Sequence, residues 1–371
     1  MKKTENQNNL QFRKNFIWNL LGTTVNALTS FLYMIIVTRL NGLNDAGMFS
    51  FAFSNAGVLV VLGMYMGRAY QVSNNRFPDI VFIQSRKITC FLMLLVAVVM
   101  LAANQYSFER AAVFLAWIVY KMLDAFSDVI YGVLHKNDRL DYVGQSLTIK
   151  AVLSISAFAV LDYFFRDIMV ASIGACIAML LVIVFWDYWH YKIYRKSNVR
   201  WELKDCVTVL KEGAFICATT FLSTYLVNAS KYAIDAYGND SEQAVYGILV
   251  MPATAMILVG QYLIQPLLLK ISLLYQQKQK KTLKKTLYMI IGALIAVGLF
   301  GIICAATIGI PLLNLVYGVD LSSYRTELII VIVGAIAYGC TTVLTNVLTV
   351  MNKNKIQTAC FTIITIVVFA L

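Results

Sequence analysis

Residues 168–189 read IMVASIGACIAMLLVIVFWDYW, an almost unbroken apolar run. A segment that crosses a bilayer needs about 20 mainly apolar residues in a helix, because only its own backbone can satisfy its N–H and C=O groups there. Working outward from this stretch, runs of the same kind lie at about 16–37, 46–66, 88–103, 111–134 and 143–165 on one side. On the other side they lie at about 213–235, 243–268, 287–310 and 327–350, and an eleventh begins near 357. The first run is too long for a cleaved signal peptide and lacks a small-residue cleavage site after it. Composition points the same way. Of 371 residues 60% are hydrophobic and 13% charged, with a net charge of +12. Charged residues are about half as frequent as in a soluble protein, too few to coat so much apolar side chain. The expectation is an all-α polytopic membrane protein. The basic excess is not a nucleic-acid footprint, since it sits between apolar blocks and no aromatic-plus-basic module accompanies it.

Lys and Arg set the orientation, because basic loops stay on the cytoplasmic side. With the N-terminus inside, the inner segments hold most of the 31 basic residues, including Lys2, Lys3, Arg13, Lys14, Arg68, Arg76, Arg86 and Lys87. Lys136 and Arg139 come next, then the basic stretches 192–211, 270–285 and 353–355. The outer loops and span ends hold only Arg39, Arg110, Arg166 and Arg325. The pattern predicts a multi-pass protein of the cytoplasmic membrane with its N-terminus in the cytoplasm.

The cadence repeats. A span, a short outer loop at 38–45, a span and a basic segment at 67–87 return as an outer loop at 236–242 and a basic segment at 270–285. Six spans precede the repeat, so both halves share one orientation, as in parallel-repeat transporters. The predicted organisation is an N-terminal lobe of six transmembrane helices at 1–189, a cytoplasmic amphipathic linker at 190–212 and a C-terminal lobe at 213–371. The linker reads as a surface helix with Trp201, Leu203, Val207 and Leu210 on one face, or as a basic solvated loop. The second lobe contains four full helices plus an eleventh of fourteen residues from Thr358. That helix spans ~21 Å against a core of ~30 Å, so the lobe reads as incomplete and the chain as a truncated product.

No phosphate-binding GxxxxGK[ST] loop occurs, which leaves no ATP-driven motor in this chain. The seven cysteines show no CxxC pairing and read as small packing residues. His135 and His190 both sit at inner helix ends, so no metal site, cofactor or histidine catalysis is expected.

Charges inside spans are costly and by default indicate a polar cavity or pathway. Lys121, Asp124 and Asp128 are spaced i, i+3, i+7 and share one face of the fourth span. Lys150 enters the fifth span from the same inner side, where it can neutralise one of those aspartates. Two readings of this face stand: a water-accessible surface for an anionic substrate, proton or sodium ion, or an ion-pair network joining two spans. Lys231 and Asp235 form an i, i+4 pair near the outer end of the seventh span, and Arg39 ends the first span on that side; such residues can also snorkel to the interface. Asn19, Asn26, Asn55, Asn228, Gln261 and Gln265 read as helix–helix hydrogen bonders. Pro252 and Pro266 are expected to kink the eighth span.

Several segments carry a resemblance. Asn15–Phe16–Ile17–Trp18–Asn19–Leu20–Leu21–Gly22, Thr38–Arg39–Leu40 and Ala46–Gly47–Met48–Phe49–Ser50–Phe51 resemble polysaccharide flippases of the Wzx type. So do Lys231–Tyr232–Ala233–Ile234–Asp235, Tyr246–Gly247 and Met251–Pro252. These flippases belong to the multidrug/oligosaccharidyl-lipid/polysaccharide exporter superfamily. The resemblance implies two six-helix lobes around a central cavity that opens alternately to each side. It implies a substrate of oligosaccharide repeat units on an undecaprenyl diphosphate carrier, flipped from the inner to the outer leaflet. It also implies a polysaccharide polymerase and chain-length machinery as further partners. Cationic cavity residues would face the diphosphate; by position these are Arg39, Lys121, Lys150 and Lys231. Asp124, Asp128 and Asp235 are the candidates for ion coupling or charge balance. An ion-coupled multidrug antiporter of the same fold is the alternative. A membrane-embedded glycosyl- or acyltransferase would need a sizeable loop with paired carboxylates or a His/Asp motif, which no outer loop is long enough to carry.

Overall fold

The computed structural model describes residues 2–370 apart from 75, 105, 196–200, 265, 266, 268–270, 272, 276, 352 and 353. Side chains are described for the same residues except 2–9, 259–264, 350, 354, 369 and 370. Pro266, Gln265 and Lys270, singled out from the sequence, lie outside the described residues, as do Lys196, Arg200, Lys353 and the side chain of Gln261.

The regular structure of the described residues is helical, as the apolar runs require. In chain order the helices are α1 (Lys2–Asn41), α2 (Leu43–Met64), α3 (Gly67–Ser73), α4 (Asp79–Asn104), α5 (Phe108–Lys136) and α6 (Leu140–Phe165). Next comes α7 (Ile168–Val182), which passes through a π-helical stretch, Ile183–Asp187, into α8 (Tyr188–Tyr194). The remaining helices are α9 (Leu203–Tyr237), α10 (Asp240–Ile264), α11 (Lys280–Cys304), α12 (Ile310–Tyr317), α13 (Arg325–Val350) and α14 (Asn354–Ala370). A second π stretch, Ala305–Gly309, joins α11 to α12. Among the described residues, nine helical segments are long and apolar enough to cross a membrane. The 29-residue α5 is longer than most of them, at roughly 43 Å, and falls outside that group through its charges.

The spans begin where the sequence supplies caps. The Ser107 hydroxyl accepts from the Arg110 N–H and starts α5, while the Asp167 carboxylate accepts from the N–H groups of Met169 and Val170 and starts α7. Both satisfy amides that the first helical turn leaves unpaired. The helices also run further into the basic segments than the hydropathy implies. Arg86 and Lys87, expected in an inner loop, belong to α4, and Leu203, Val207 and Leu210 form the first turns of α9 rather than a separate surface helix. The α5–α6 turn is held by Arg139, whose guanidinium takes both oxygens of Asp141 at 3.0 Å and lies 3.6 Å from the Tyr142 ring centre. That two-pronged carboxylate holds Arg139 above even its ordinary high range.

The chain divides into two compact units, Met1–Ala236 and Tyr237–Leu371. In the first, α1 packs along α6, α2 along α5 and α4, and α7 along α5 and α6. The α1–α6 contact is backbone-close: a Cβ at Gly144 would run into the Trp18 carbonyl, and one at Gly22 into Gly144. An aromatic cluster of Tyr33, Phe49, Trp117 and Phe158 fills the middle, with edge-on ring pairs about 5 Å apart. The seventh span, α9, falls in this unit. The repeat in the sequence counts spans, whereas the compact unit reflects backbone proximity; α9 is bonded to α2 through Lys231–Ser54 and Cys217–Val61, to α4 through Cys206–Val81 and to α5 through Asp235–Arg110. In the second unit α10 and α11 each pack on α13, and Leu283, Ile290 and Leu294 of α11 share a core with Val343 and Val347 of α13 and with Ile271. Pro252 sits inside α10 and withholds one backbone donor there. Gly318 ends α12 at φ 73°, a left-handed conformation that favours glycine. Beyond it Ser322 donates its N–H and hydroxyl to Asp320, which holds that carboxyl below its usual range.

Candidate functional site

The first unit contains the charged residues that the sequence placed in spans, and it gives them different partners. Lys121, Asp124 and Asp128 do share one face of α5, but they meet different neighbours. Lys121 lies 3.8 Å from Asp124 and 5.0 Å from the centre of the Phe53 ring on α2. Asp128 is held by two arginines, Arg68 of α3 at 3.1 Å and Arg86 of α4 at 3.4 Å. Arg86 is 6% exposed and also donates to the Gly63 carbonyl at 2.9 Å, so it closes the α2–α4–α5 junction. The charge pattern places both arginines in an inner loop, and nothing in that pattern signals that they fold back onto a span.

Lys150 corrects an expectation. It meets Asp187, from the π-helical stretch after α7, and neither of the α5 aspartates. Its other two N–H donors go to the Ser127 hydroxyl at 2.5 Å and the Tyr131 hydroxyl at 2.8 Å. Ser146 donates to the second Asp187 oxygen at 2.5 Å, and its hydroxyl lies 2.8 Å from that of Tyr131. Lys150 is 2% exposed and Asp187 0%. An ammonium has three donors, and all three are taken by protein, so none is left for a substrate. Lys150 therefore belongs to a closed polar core and not to a cavity wall. Asp187 escapes the sequence reading, although it is the one carboxylate inside the most apolar run of the chain. A π turn holds an extra residue and rotates the helix beyond it, so 3.6-residue periodicity does not show which way Asp187 points.

The Lys231–Asp235 pair is also replaced. Asp235 accepts from Arg110 and from the Tyr106 hydroxyl, the latter at 3.0 Å, and Arg110 lies 4.3 Å from the centre of the Phe51 ring. This ties the end of α9 to the start of α5. Asp235→Ala is expected to raise amide exchange in the last two turns of α9 by roughly tenfold, about 1.4 kcal/mol for lost charged hydrogen bonds. Hydrogen–deuterium exchange of the purified protein checks this, and unchanged exchange there shows that the pair does not anchor α9.

Lys231 instead donates to the Ser54 hydroxyl on α2 at 2.5 Å. No carboxylate lies within ion-pair distance of it among the described residues. Phe53 and Ser54 are consecutive, so lysines from α5 and α9 converge on one turn of α2. The stacked Tyr225 and Tyr232 rings, 5.4 Å apart, line the same length of α9. Arg39 stands elsewhere, beside an apolar groove between α1 and α6. Asn55 and Asn228, expected to bridge helices, donate to carbonyls one turn back in their own helices. His190 packs on Trp186 and Tyr142, with Nδ1 2.7 Å from the Trp186 carbonyl oxygen. Among the described residues no group of three or more His, Cys, Asp or Glu is placed to hold a metal ion.

The fold is similar to that of solved transporter structures. The chain superimposes on a variant of the Vibrio cholerae MATE transporter VcmN with a TM-score of 0.63 at 14% identity, over 98% of this chain and 88% of that one. It superimposes on the outward-facing conformation of a multidrug resistance MATE family transporter of the MOP superfamily with a TM-score of 0.58 at 16% identity, over 96% and 84%. The fold is that of the MATE transporters. In sequence the chain is similar to the capsular polysaccharide biosynthesis protein CapF of Staphylococcus aureus, 21% identical over 333 residues that cover 86% of this chain and 81% of that protein. No protein-family model matches.

Proposed function

We propose that this chain is a flippase of the bacterial cell membrane, without enzymatic activity, that moves a lipid-linked oligosaccharide from the inner to the outer leaflet by alternating access. The observation that carries the reading is Lys231: a half-buried lysine on α9, bonded to a neutral hydroxyl, on the turn of α2 that Lys121 also approaches. A cation without a carboxylate partner in a weakly polar setting attracts a phosphate far more strongly than it would in water. A hydrated glycan cannot cross hydrocarbon unaided, whereas a cavity can hold it while the lipid tail stays in the bilayer. The likeness to a capsular polysaccharide biosynthesis protein favours an oligosaccharide carried on a polyprenyl diphosphate, and the MATE fold favours transport. In this reading Lys231 and Lys121 contact the diphosphate, and Asp124 balances Lys121 until substrate arrives.

A multidrug antiporter is the second reading, favoured by the multidrug resistance transporter among the fold neighbours. It requires an acidic site open to an ion. Asp128 and Asp235 are each bonded to arginine, and Asp124, the other mid-span candidate, lies 3.8 Å from Lys121, which supports the flippase instead.

The test is complementation of a strain deleted for the gene. Lys121→Ala with Lys231→Ala is expected to cut surface glycan by roughly ten- to a hundredfold, the loss of one or two charged hydrogen bonds to phosphate, with lipid-linked oligosaccharide accumulating on the cytoplasmic side. Lys231→Arg keeps the charge and most of the export. Unchanged export by a normally expressed double variant overturns the proposal.

A further inference from the structure

In the second unit, Tyr237–Leu371, the acids gather at one end of the spans. They are Asp240, Glu242, Asp320 and Glu327, and no Asp or Glu occurs from 243 to 319. Asp240 and Glu242 open α10, while Asp320 and Glu327 stand where α12 gives way to α13. The opposite end, beyond α10 and at the start of α11, holds Lys278, Lys280, Lys281, Lys284 and Lys285, all exposed. Among the described residues none of these ammonium groups has a hydrogen bond or an ion pair. The first unit treats the cations at the basic ends of its spans differently. Arg76 is paired with Glu212, Lys136 with Asp79, Arg139 with Asp141 and Lys204 with Glu202. Keeping a basic loop on one side of a membrane requires positive charge there. It does not require that every lysine lack a carboxylate.

The helical period of α11 sets where these lysines point. Leu283, Thr286, Ile290 and Leu294 are buried, and the three apolar ones share a core with α13. Lys281, Lys284 and Lys285 stand on the opposite face, in one exposed stripe with Tyr288, Ile295 and Leu299. From Tyr288 to Leu299 the stripe rises roughly 16 Å, which is about half of a ~30 Å hydrocarbon core and so the height of one leaflet. Lys285 lies less than one helical turn beyond Tyr288, and Lys281 about two turns beyond it. The ammonium groups therefore stand at phosphate level, directly above an apolar stripe that begins with an interfacial aromatic.

We propose that this face of α11 binds an anionic glycerophospholipid, with its phosphate among Lys281, Lys284 and Lys285 and its acyl chains along Tyr288, Ile295 and Leu299. Acyl chains are as apolar as leucine side chains, so selection falls on the head group. Lysine clusters next to a transmembrane helix recognise acidic ones. Each ammonium offers three donors, and no protein group competes for them among the described residues. An acidic segment of another protein would meet the lysines alone, whereas a phospholipid matches the lysines and the apolar stripe that continues them. This surface is separate from the turn of α2 where Lys121 and Lys231 meet, and it does not depend on what is transported.

Native mass spectrometry of the delipidated full chain tests it, with dioleoyl phosphatidylglycerol, dioleoyl phosphatidylcholine and undecaprenyl phosphate added in turn. A lysine near the membrane surface strengthens binding about fivefold, so two on one phosphate give phosphatidylglycerol a roughly ten- to thirtyfold preference over phosphatidylcholine. Lys281→Gln, Lys284→Gln and Lys285→Gln together should bring that ratio close to one, and Arg at the same positions should keep it. Gln and Arg are both good helix formers, so α11 is retained in either variant. Lys204→Gln, at an exposed lysine already paired with Glu202, should leave the ratio unchanged. Raising the ionic strength from about 0.01 to 0.1 M shortens the screening length from about 30 to 10 Å, and the ratio should fall several-fold. Equal binding of the two phospholipids by the unaltered chain overturns the proposal. So does a preference that survives the triple Gln variant, or one that falls as far in Lys204→Gln. Displacement of phosphatidylglycerol by equimolar undecaprenyl phosphate assigns the stripe to a polyprenyl carrier and overturns it as well.

Discussion

Asp187→Ala is expected to destabilise the unit Met1–Ala236 by about 3–5 kcal/mol, the usual consequence of removing one partner from a buried ion pair. The loss comes from the group left behind. Lys150 is left at 2% exposure with only two neutral hydroxyls, Ser127 and Tyr131, as partners for its amine. Ser146 also loses its acceptor. Thermal unfolding of the purified protein in detergent, monitored by the loss of its monodisperse peak, measures the effect. Lys150→Met combined with Asp187→Leu should recover most of the lost stability, because two apolar side chains of similar size carry no desolvation cost. An Asp187→Ala protein as stable as the unaltered one, or a double variant as unstable as the single, shows that the closed polar core does not hold this unit together.

Gly144→Val is expected to separate α1 from α6 at a cost of about 3 kcal/mol, the upper part of the range for overpacking. The reason is that a Cβ at 144 meets backbone, the carbonyl of Trp18, and backbone cannot swing aside as a side chain does. Close approach of this kind is how transmembrane helices associate when lipid offers as much apolar contact as protein. The same contact keeps Asn15 within reach of the α5–α6 turn, where it donates to the Asp138 carbonyl at 2.8 Å and accepts from the Asp141 N–H at 3.0 Å. Gly132→Ala is the comparison. There the obstruction is the Gln71 side-chain amide, held by a hydrogen bond to the Val129 carbonyl rather than by the covalent backbone. Its midpoint of unfolding should fall by much less than that of Gly144→Val. Equal losses in the two variants would show that backbone proximity at Gly144 is not the decisive feature.

Much of the architecture is legible in the sequence because a bilayer reduces the choices. A run such as 168–182 has no way to satisfy its backbone in hydrocarbon except as a helix, and α7 is that helix. Lys121, Asp124 and Asp128 are legible as one face of α5 because their spacing is a local property of the helix. Their partners are not legible. Asp187 lies 37 residues from Lys150 and arrives through a π turn, Arg86 reaches Asp128 from 42 residues away, and Arg110 reaches Asp235 from 125. The i, i+4 pairing of Lys231 with Asp235 is geometrically allowed on α9, but Arg110 and Tyr106 together outcompete a single lysine for that carboxylate.

The sequence by itself determined that this chain is an all-helical, multi-pass membrane protein, and it placed Lys121, Asp124, Asp128, Lys150, Lys231 and Asp235 within spans while passing over Asp187. Those properties arise from side-chain solubility and helical period, which each segment carries alone. Tertiary structure decided which charges are sealed in the core and which remain on the α2 turn shared by Lys121 and Lys231. A charge in a membrane protein is neutralised by whichever opposite charge the helix packing brings within about 4 Å. Packing depends on glycines, hydroxyls and aromatic rings scattered over distant segments, so no single stretch of sequence contains that answer.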